Sequence, residues 1–214
     1  MIDTHGFETV QQCLNTTMLY DFIYSKHKWD IPARGIDTGG NYHSYPSNGV
    51  KWENYHTPSL NAHPRIADIR SVTDTLVAPL LTNPVFHHSD CNVMMPSRCK
   101  IRPRVATPHS HPQWASNTDR QSIHIAVSLH DSSSYNGLPT FLPRSQNTLW
   151  DIKKCYNGDY DDIFAKQAEQ PSIRFGDLVM WDSRTLYSPM PNKALTNRYV
   201  VLLSYVEKDI VSEL

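Results

Sequence analysis

Apolar residues at Phe7, Val10, Leu14, Met18 and Phe22 recur every three or four positions, which predicts a helix from about Phe7 to Tyr24 with a single packing stripe. From Asp30 to Pro64 the pattern dissolves into Pro, Gly, Asn, Ser and His. Tyr42, Tyr45, Trp52 and Tyr55 are scattered through it, the composition of a long loop or short extended pieces pinned by aromatic rings. Ile66, Ile69, Val72, Leu76 and Leu80 restore the helical interval, Asp68 suits the positive end of that helix's dipole, and Pro84 ends it. Beyond Pro84 the interval switches to two. Val85 to Met95, Lys100 to Val105, Ser122 to His130, Thr140 to Leu142, Ser172 to Trp181 and Arg198 to Val206 read as strands, with Leu149 to Gln167 a mostly helical excursion between them. Helices followed by short strands predict an α+β protein whose β part closes as a sandwich or barrel of the jelly-roll group.

Composition narrows this picture without redirecting it. The 214 residues show no internal repeat or low-complexity linker, so a single domain is expected, helix-rich over 1–84 and with the β core over 85–214. A hydrophobic share of 39% spread along the whole chain argues against disorder. Twenty Lys and Arg against 21 Asp and Glu leave a formal charge of -1, which gives no global field for nucleic acid or an anionic membrane. Trp114, Arg120 and Arg144 do not by themselves form a nucleic-acid module. No apolar run is long enough for a membrane span, and Asp3, His5 and Glu8 stand where a secretory signal would be basic and then apolar, so a cytoplasmic location is expected. Cys13, Cys91, Cys99 and Cys155 form no CxxC pair and read as reduced thiols, Cys91 with Cys99 being the pairing to test. Dinucleotide, phosphate-loop and nucleophile-elbow motifs are missing from the sequence.

Four elements in order carry a resemblance. Ile123 to Asp131 leads to Asn136-Gly137. Phe141-Leu142-Pro143-Arg144-Ser145 follows, then Gly176-Asp177-Leu178-Val179-Met180-Trp181-Asp182 running on to Tyr187, and then Arg198 eleven residues later at a strand start. This order, spanning roughly Arg102 to Val206, resembles the phytanoyl-CoA dioxygenase family of iron(II) and 2-oxoglutarate oxygenases, including its ectoine hydroxylase relatives. The resemblance implies a double-stranded β-helix core, jelly-roll or cupin-like, with N-terminal helices packed on one sheet.

Members of that family hold iron through a His-x-Asp pair and a distal His, which leaves open positions for the 2-oxo acid and O2. Counting back from Asp131 and Asn136, the resemblance puts these three positions at Arg104, Ala106 and Tyr187, and none of the three matches. A guanidinium thus replaces a ligand for a cation. The resemblance assigns Arg198 to the carboxylate of 2-oxoglutarate, with Arg104 able to grip the other end of a dicarboxylate if it does not face solvent or pair with an acid such as Asp177. Arg144 replaces a Gly of the family pattern and Gln146 its His, so this turn is expected to avoid positive backbone angles.

Other histidines supply an alternative. His109-Ser110-His111 has a ligand-like spacing between Pro108 and Pro112, and His124 lies on the strand face opposite Ile123, Ile125, Val127 and Leu129, a face that could look into the barrel. Tyr187 fits the space of an imidazole better than the role of a ferrous ligand. His87-His88-Ser89-Asp90, His56 and His63 read as loop or surface residues. Three functions follow as expectations. The first is a dioxygenase-like protein that binds 2-oxoglutarate or a similar small carboxylate but does not run ordinary iron-dependent hydroxylation. The second is an active oxidoreductase with metal at His109, His111 and His124. The third is a non-catalytic interaction scaffold.

Overall fold

The computed structural model describes residues 2–17, 19, 41–44, 52–56, 64–94, 104–105, 122–131, 139–148, 150–151, 154, 158–189, 192–195 and 198–208; at 3, 41–44, 52–56, 88, 90–94, 104–105, 189 and 199 it describes the backbone alone. The elements run α1 (Ile2–His5), β1 (Phe7–Val10), β2 (Asn41–Ser44), β3 (Trp52–His56), α2 (Pro64–Val77), β4 (Pro84–Met94), β5 (Arg104–Val105) and β6 (Ser122–Ser128). They continue as β7 (Pro139–Phe141), α3 (Asp161–Gln167), β8 (Leu178–Asp182), β9 (Leu186–Pro189) and β10 (Arg198–Glu207). Every pairing is antiparallel. A seven-stranded sheet has the order β1-β8-β6-β10-β4-β3-β2, and a three-stranded sheet the order β5-β9-β7.

Strand alternation explains both faces of the large sheet. Ile123, Ile125 and Val127 of β6, Leu178 and Met180 of β8, and Val201, Leu203 and Tyr205 of β10 point outward to Ile66, Ile69 and Val77 of α2, and all are buried. Each such side chain contributes about 1.5–3 kcal/mol of apolar burial, so this seam outweighs any surface contact. The alternate residues Ala126, Val179, Trp181 and Val200 face the other way and pack with Phe7, Phe141 and Ile173, with Tyr187 against them. That second layer is the interior between the two sheets. The small sheet's far side is covered by Trp150 and Phe164 of the excursion, which pack on Leu142 and Leu186.

Several expectations are corrected. The helix from Phe7 to Tyr24 is a strand where it begins, because pairing of Phe7 with Trp181 and of Val10 with Leu178 satisfies the β1 backbone, while the Phe7 ring stacks on Phe141 at 4.7 Å. Gly6, at φ +89, separates α1 from that strand. The stretch from Asp30 to Pro64 contains β2 and β3, the short extended pieces that were one of the two expectations for it, and they extend the large sheet from β4. Their polar side chains gave no alternation, as befits strands near an edge. Residues 84–94 form one strand paired on both sides, so His87-His88-Ser89-Asp90 is sheet and not loop. Strand β9, unmarked by periodicity, lies between β5 and β7. Only Leu178–Asp182 of the run beginning at Ser172 is strand.

Arg144 contradicts its expectation outright, with φ 63 and ψ 8 in the left-handed region. Its amide donates to the His5 carbonyl at 3.0 Å, and the Ser145 amide reaches the Leu142 carbonyl at 3.4 Å, so the tight turn after β7 dictates the angle while the side chain escapes to solvent. The Cys91–Cys99 pairing and the side chains of Trp52 and Tyr55 lie outside the described residues. Among the described residues no helix is long and apolar enough to cross a membrane.

Two predictions follow from these seams. The Tyr205 hydroxyl, 2.6 Å from both Asp74 Oδ1 and Thr73 Oγ1, ties α2 to β10, and burial with the Asp74 carboxylate pushes its ionisation above the ordinary phenol value. Tyr205→Phe keeps the ring and removes the donor, so urea melts should show a loss of about 1–2 kcal/mol. An unchanged midpoint would mean that water replaces the bond without cost. Arg144→Gly relieves the left-handed strain and should gain about 0.5–1 kcal/mol, visible as a rise of roughly 1–4 °C in melting temperature.

Candidate functional site

The chain passes from the large sheet to the small one at the turn after Asp182. The Asp182 carboxylate, almost fully buried, accepts from the Arg184 backbone amide (2.9 Å), Nε (2.9 Å) and Nη2 (2.6 Å), which closes the turn on itself. The Thr185 amide donates to the Asp182 carbonyl. The N-terminal segment straps this corner: the Gly6 carbonyl accepts from the Asp182 amide at 3.0 Å and from Thr185 Oγ1 at 2.9 Å. A Cβ on Gly6 would stand 2.6 Å from Gln146 Oε1 and 2.7 Å from Thr185 Oγ1, so only glycine passes there. Ser145 Oγ accepts the Leu186 amide at 2.8 Å, which fixes the first residue of β9. The next residue is Tyr187.

Tyr187 has two backbone partners, Arg104 on β5 and Phe141 on β7. The two positions that the resemblance assigns to the family's imidazole ligands are therefore directly opposite one another in the small sheet. The Tyr187 ring lies 5.4 Å from Trp181 and 6.1 Å from Phe141. Trp181 is buried, and its indole N–H has no acceptor among the described residues, so this wall is aromatic with one polar N–H in it. The Arg104 side chain and all of Ala106, His109 and His111 lie outside the described residues.

Taken by chemistry, these residue types do not fit ferrous iron. A guanidinium is a donor-only cation, alanine has no ligand atom, and a phenol with a pKa near 10 gives little phenolate at neutral pH. Asp177, suggested as a partner for Arg104, accepts backbone amides from Gln12 (2.7 Å) and Arg174 (2.8 Å). Its carboxylate closes the loop before β8.

Arg198 opens β10 at 6% exposure, on the face that two and four residues later carries Val200 and Leu202. It thus belongs to the interior between the sheets. Burial pushes its ionisation down to about 9, which leaves it positive at neutral pH and raises the value of an anion beside it. His124 also faces this interior, as its alternation with Ile123 and Ile125 requires. Its Nδ1 is 2.9 Å from Ser204 Oγ, its Nε2 is 3.4 Å from Ser122 Oγ, and its ring stacks on Trp181 at 5.5 Å. The Trp181 and Ser204 partners are set by cross-strand register, for which the sequence carries no local signal.

With this geometry the chain is similar to several solved structures. SnoN, the non-heme alpha ketoglutarate dependent epimerase from nogalamycin biosynthesis, superposes with a TM-score of 0.69 at 14% identity, covering 96% of this chain and 79% of that one. SnoN has also been solved with Fe3+, alpha ketoglutarate and nogalamycin RO. HygX from Streptomyces hygroscopicus, with nickel and 2-oxoglutarate bound, gives 0.68 at 13% identity over 97% of this chain and 85% of that one. SnoK, a non-heme alpha ketoglutarate dependent carbocyclase from nogalamycin biosynthesis, gives 0.69 at 14% identity over 100% and 88%. No family model and no curated protein sequence matches the chain. The two antiparallel sheets therefore have the jelly-roll fold seen in non-heme iron, 2-oxoglutarate-dependent enzymes.

Proposed function

We propose that this chain is a phytanoyl-CoA-dioxygenase-like protein that holds a small carboxylate, 2-oxoglutarate or a close analogue, at Arg198 and does not run ordinary iron-dependent hydroxylation. The observation that carries the reading is a buried guanidinium on the interior face of β10, eleven residues after Tyr187. A carboxylate meets such a group by paired charge-assisted hydrogen bonds, stronger in a dry interior than in water. Phe141, Trp181 and Tyr187 line the interior with rings, and Arg104, whose backbone pairs with that of Tyr187, suits the second end of a dicarboxylate. Arg104, Ala106 and Tyr187 offer iron none of its usual donors. The binding of 2-oxoglutarate and of metal by the structural neighbours supports the ligand class.

Calorimetric titration of 2-oxoglutarate and succinate in the presence of chelator tests this. Removing one partner of a buried ion pair costs about 2–5 kcal/mol, so Arg198→Ala should weaken binding by at least ~30-fold. Arg198→Lys, which keeps the charge but loses the planar fork, should fall between the two. Affinity should stay level from pH 6 to 8 and drop as the pH rises past about 9, where the buried guanidinium loses its proton. Equal affinities for Arg198→Ala and the unaltered protein would remove Arg198 from the role.

A further inference from the structure

Given carboxylate binding in the interior, on which this rests, we infer that the Trp181 indole N–H is the donor that reads the 2-oxo oxygen of the ligand, so that the chain prefers 2-oxoglutarate to glutarate without help from a metal. Trp181 sits near the end of β8, 3% exposed, on the interior face that it shares with Val179. Its ring is bounded by His124 at 5.5 Å, Phe141 at 5.6 Å and Tyr187 at 5.4 Å. An indole has a single polar atom, which donates and cannot accept. Here that nitrogen is buried and meets no acceptor among the described residues. The adjoining imidazole does not take the proton, because His124 Nδ1 is 2.9 Å from Ser204 Oγ and its Nε2 3.4 Å from Ser122 Oγ. A phenylalanine would fill the same wall without stranding a donor. An unpaired buried N–H is costly in the empty protein, and an oxygen acceptor brought into the interior removes that cost.

Position and chemistry together single out the 2-oxo oxygen. Trp181 touches the ring of Tyr187, whose backbone pairs with Arg104, so its N–H belongs to the end of the interior where the second carboxylate is expected. Arg198 stands toward the other end: Trp181 pairs with His124 and His124 with Ser204, and Arg198 lies six residues before Ser204 on β10. The two ends of a ligand therefore meet different groups. A carboxylate is matched by the paired donors of a guanidinium. What remains of 2-oxoglutarate is one neutral oxygen beside its first carboxylate, an acceptor without a proton of its own. A single neutral donor in an aromatic wall is its complement. Glutarate has two hydrogens in place of that oxygen, so it leaves the indole N–H stranded, and a site with an unmet buried donor discriminates against such an analogue.

The test is calorimetric titration of 2-oxoglutarate and of glutarate, in chelator, into the full-length protein and its Trp181→Phe variant. The unaltered protein should bind 2-oxoglutarate at least ~10-fold more tightly than glutarate, and Trp181→Phe should bring the two affinities to within ~3-fold of one another. A ring that only fills space would weaken both ligands alike, so an unchanged ratio in Trp181→Phe overturns the inference, as does a ratio near one in the unaltered protein. Should Trp181→Phe not fold, the unaltered protein labelled with 15N-tryptophan decides: one indole N–H resonance should move downfield with 2-oxoglutarate and stay in place with glutarate. Absence of any such resonance counts against Trp181. Failure of the two readings is told apart by Arg198→Ala in the same titrations. If neither ligand binds the unaltered protein, both readings fall; if binding depends on Arg198 and the ratio does not depend on Trp181, this one alone falls. Binding indifferent to Arg198→Ala with a ratio lost in Trp181→Phe removes Arg198 and keeps Trp181.

Discussion

The buried Asp182 carboxylate sets the path on which the two-sheet interior depends. By accepting three hydrogen bonds from Arg184 it makes a turn that carries the chain from β8 in the large sheet to β9 in the small one. The strap through Gly6 locks that corner from outside, and Ser145 locks the far side through the Leu186 amide. With β9 fixed, β5 and β7 find their partners. The aromatic residues Phe7, Phe141, Trp181 and Tyr187 then meet between the sheets. A carboxylate that can be buried only because its lone pairs are used is a constraint on geometry more than a source of stability.

Charge gives the interior its chemical character. The described interior between the sheets carries the buried Arg198 guanidinium and the His124 imidazole among the apolar and aromatic residues Ala126, Phe141, Val179, Trp181 and Val200. Burial of Arg198 weighs against its charge and lowers its ionisation.

Much of this was legible residue by residue. The helix α2 announced itself by Ile66, Ile69, Val72, Leu76 and Leu80 at helical intervals, and β6 by Ile123, Ile125 and Val127 at intervals of two, because burial of one face leaves that trace in any sequence. The resemblance singled out Arg198 at a strand start by its distance from Tyr187, and β10 does begin there. The β1 strand was not legible, since Phe7, Val10 and Leu14 satisfy a helical interval equally well and only the pairing with β8 decides between them. Strands β2 and β3 were legible only as short extended pieces or loop, without bounds, because polar strands near an edge leave no alternation. The left-handed Arg144 was misjudged because a cost of about 1 kcal/mol is small against the turn that demands it.

By itself, the sequence determined the α+β class, the strand-rich second half, the near-neutral charge and the identity of the side chains in the four motif elements, all of which depend on local composition and spacing. Tertiary structure alone decided which strands are neighbours. The opposition of Arg104 and Tyr187 joins residues 83 positions apart, and the placing of His88 and His124 on either side of Ser204 joins three strands that are distant in the chain. Hydrogen-bond register between such strands is fixed by the packing of whole sheets, an energy summed over many residues that no short stretch of sequence displays.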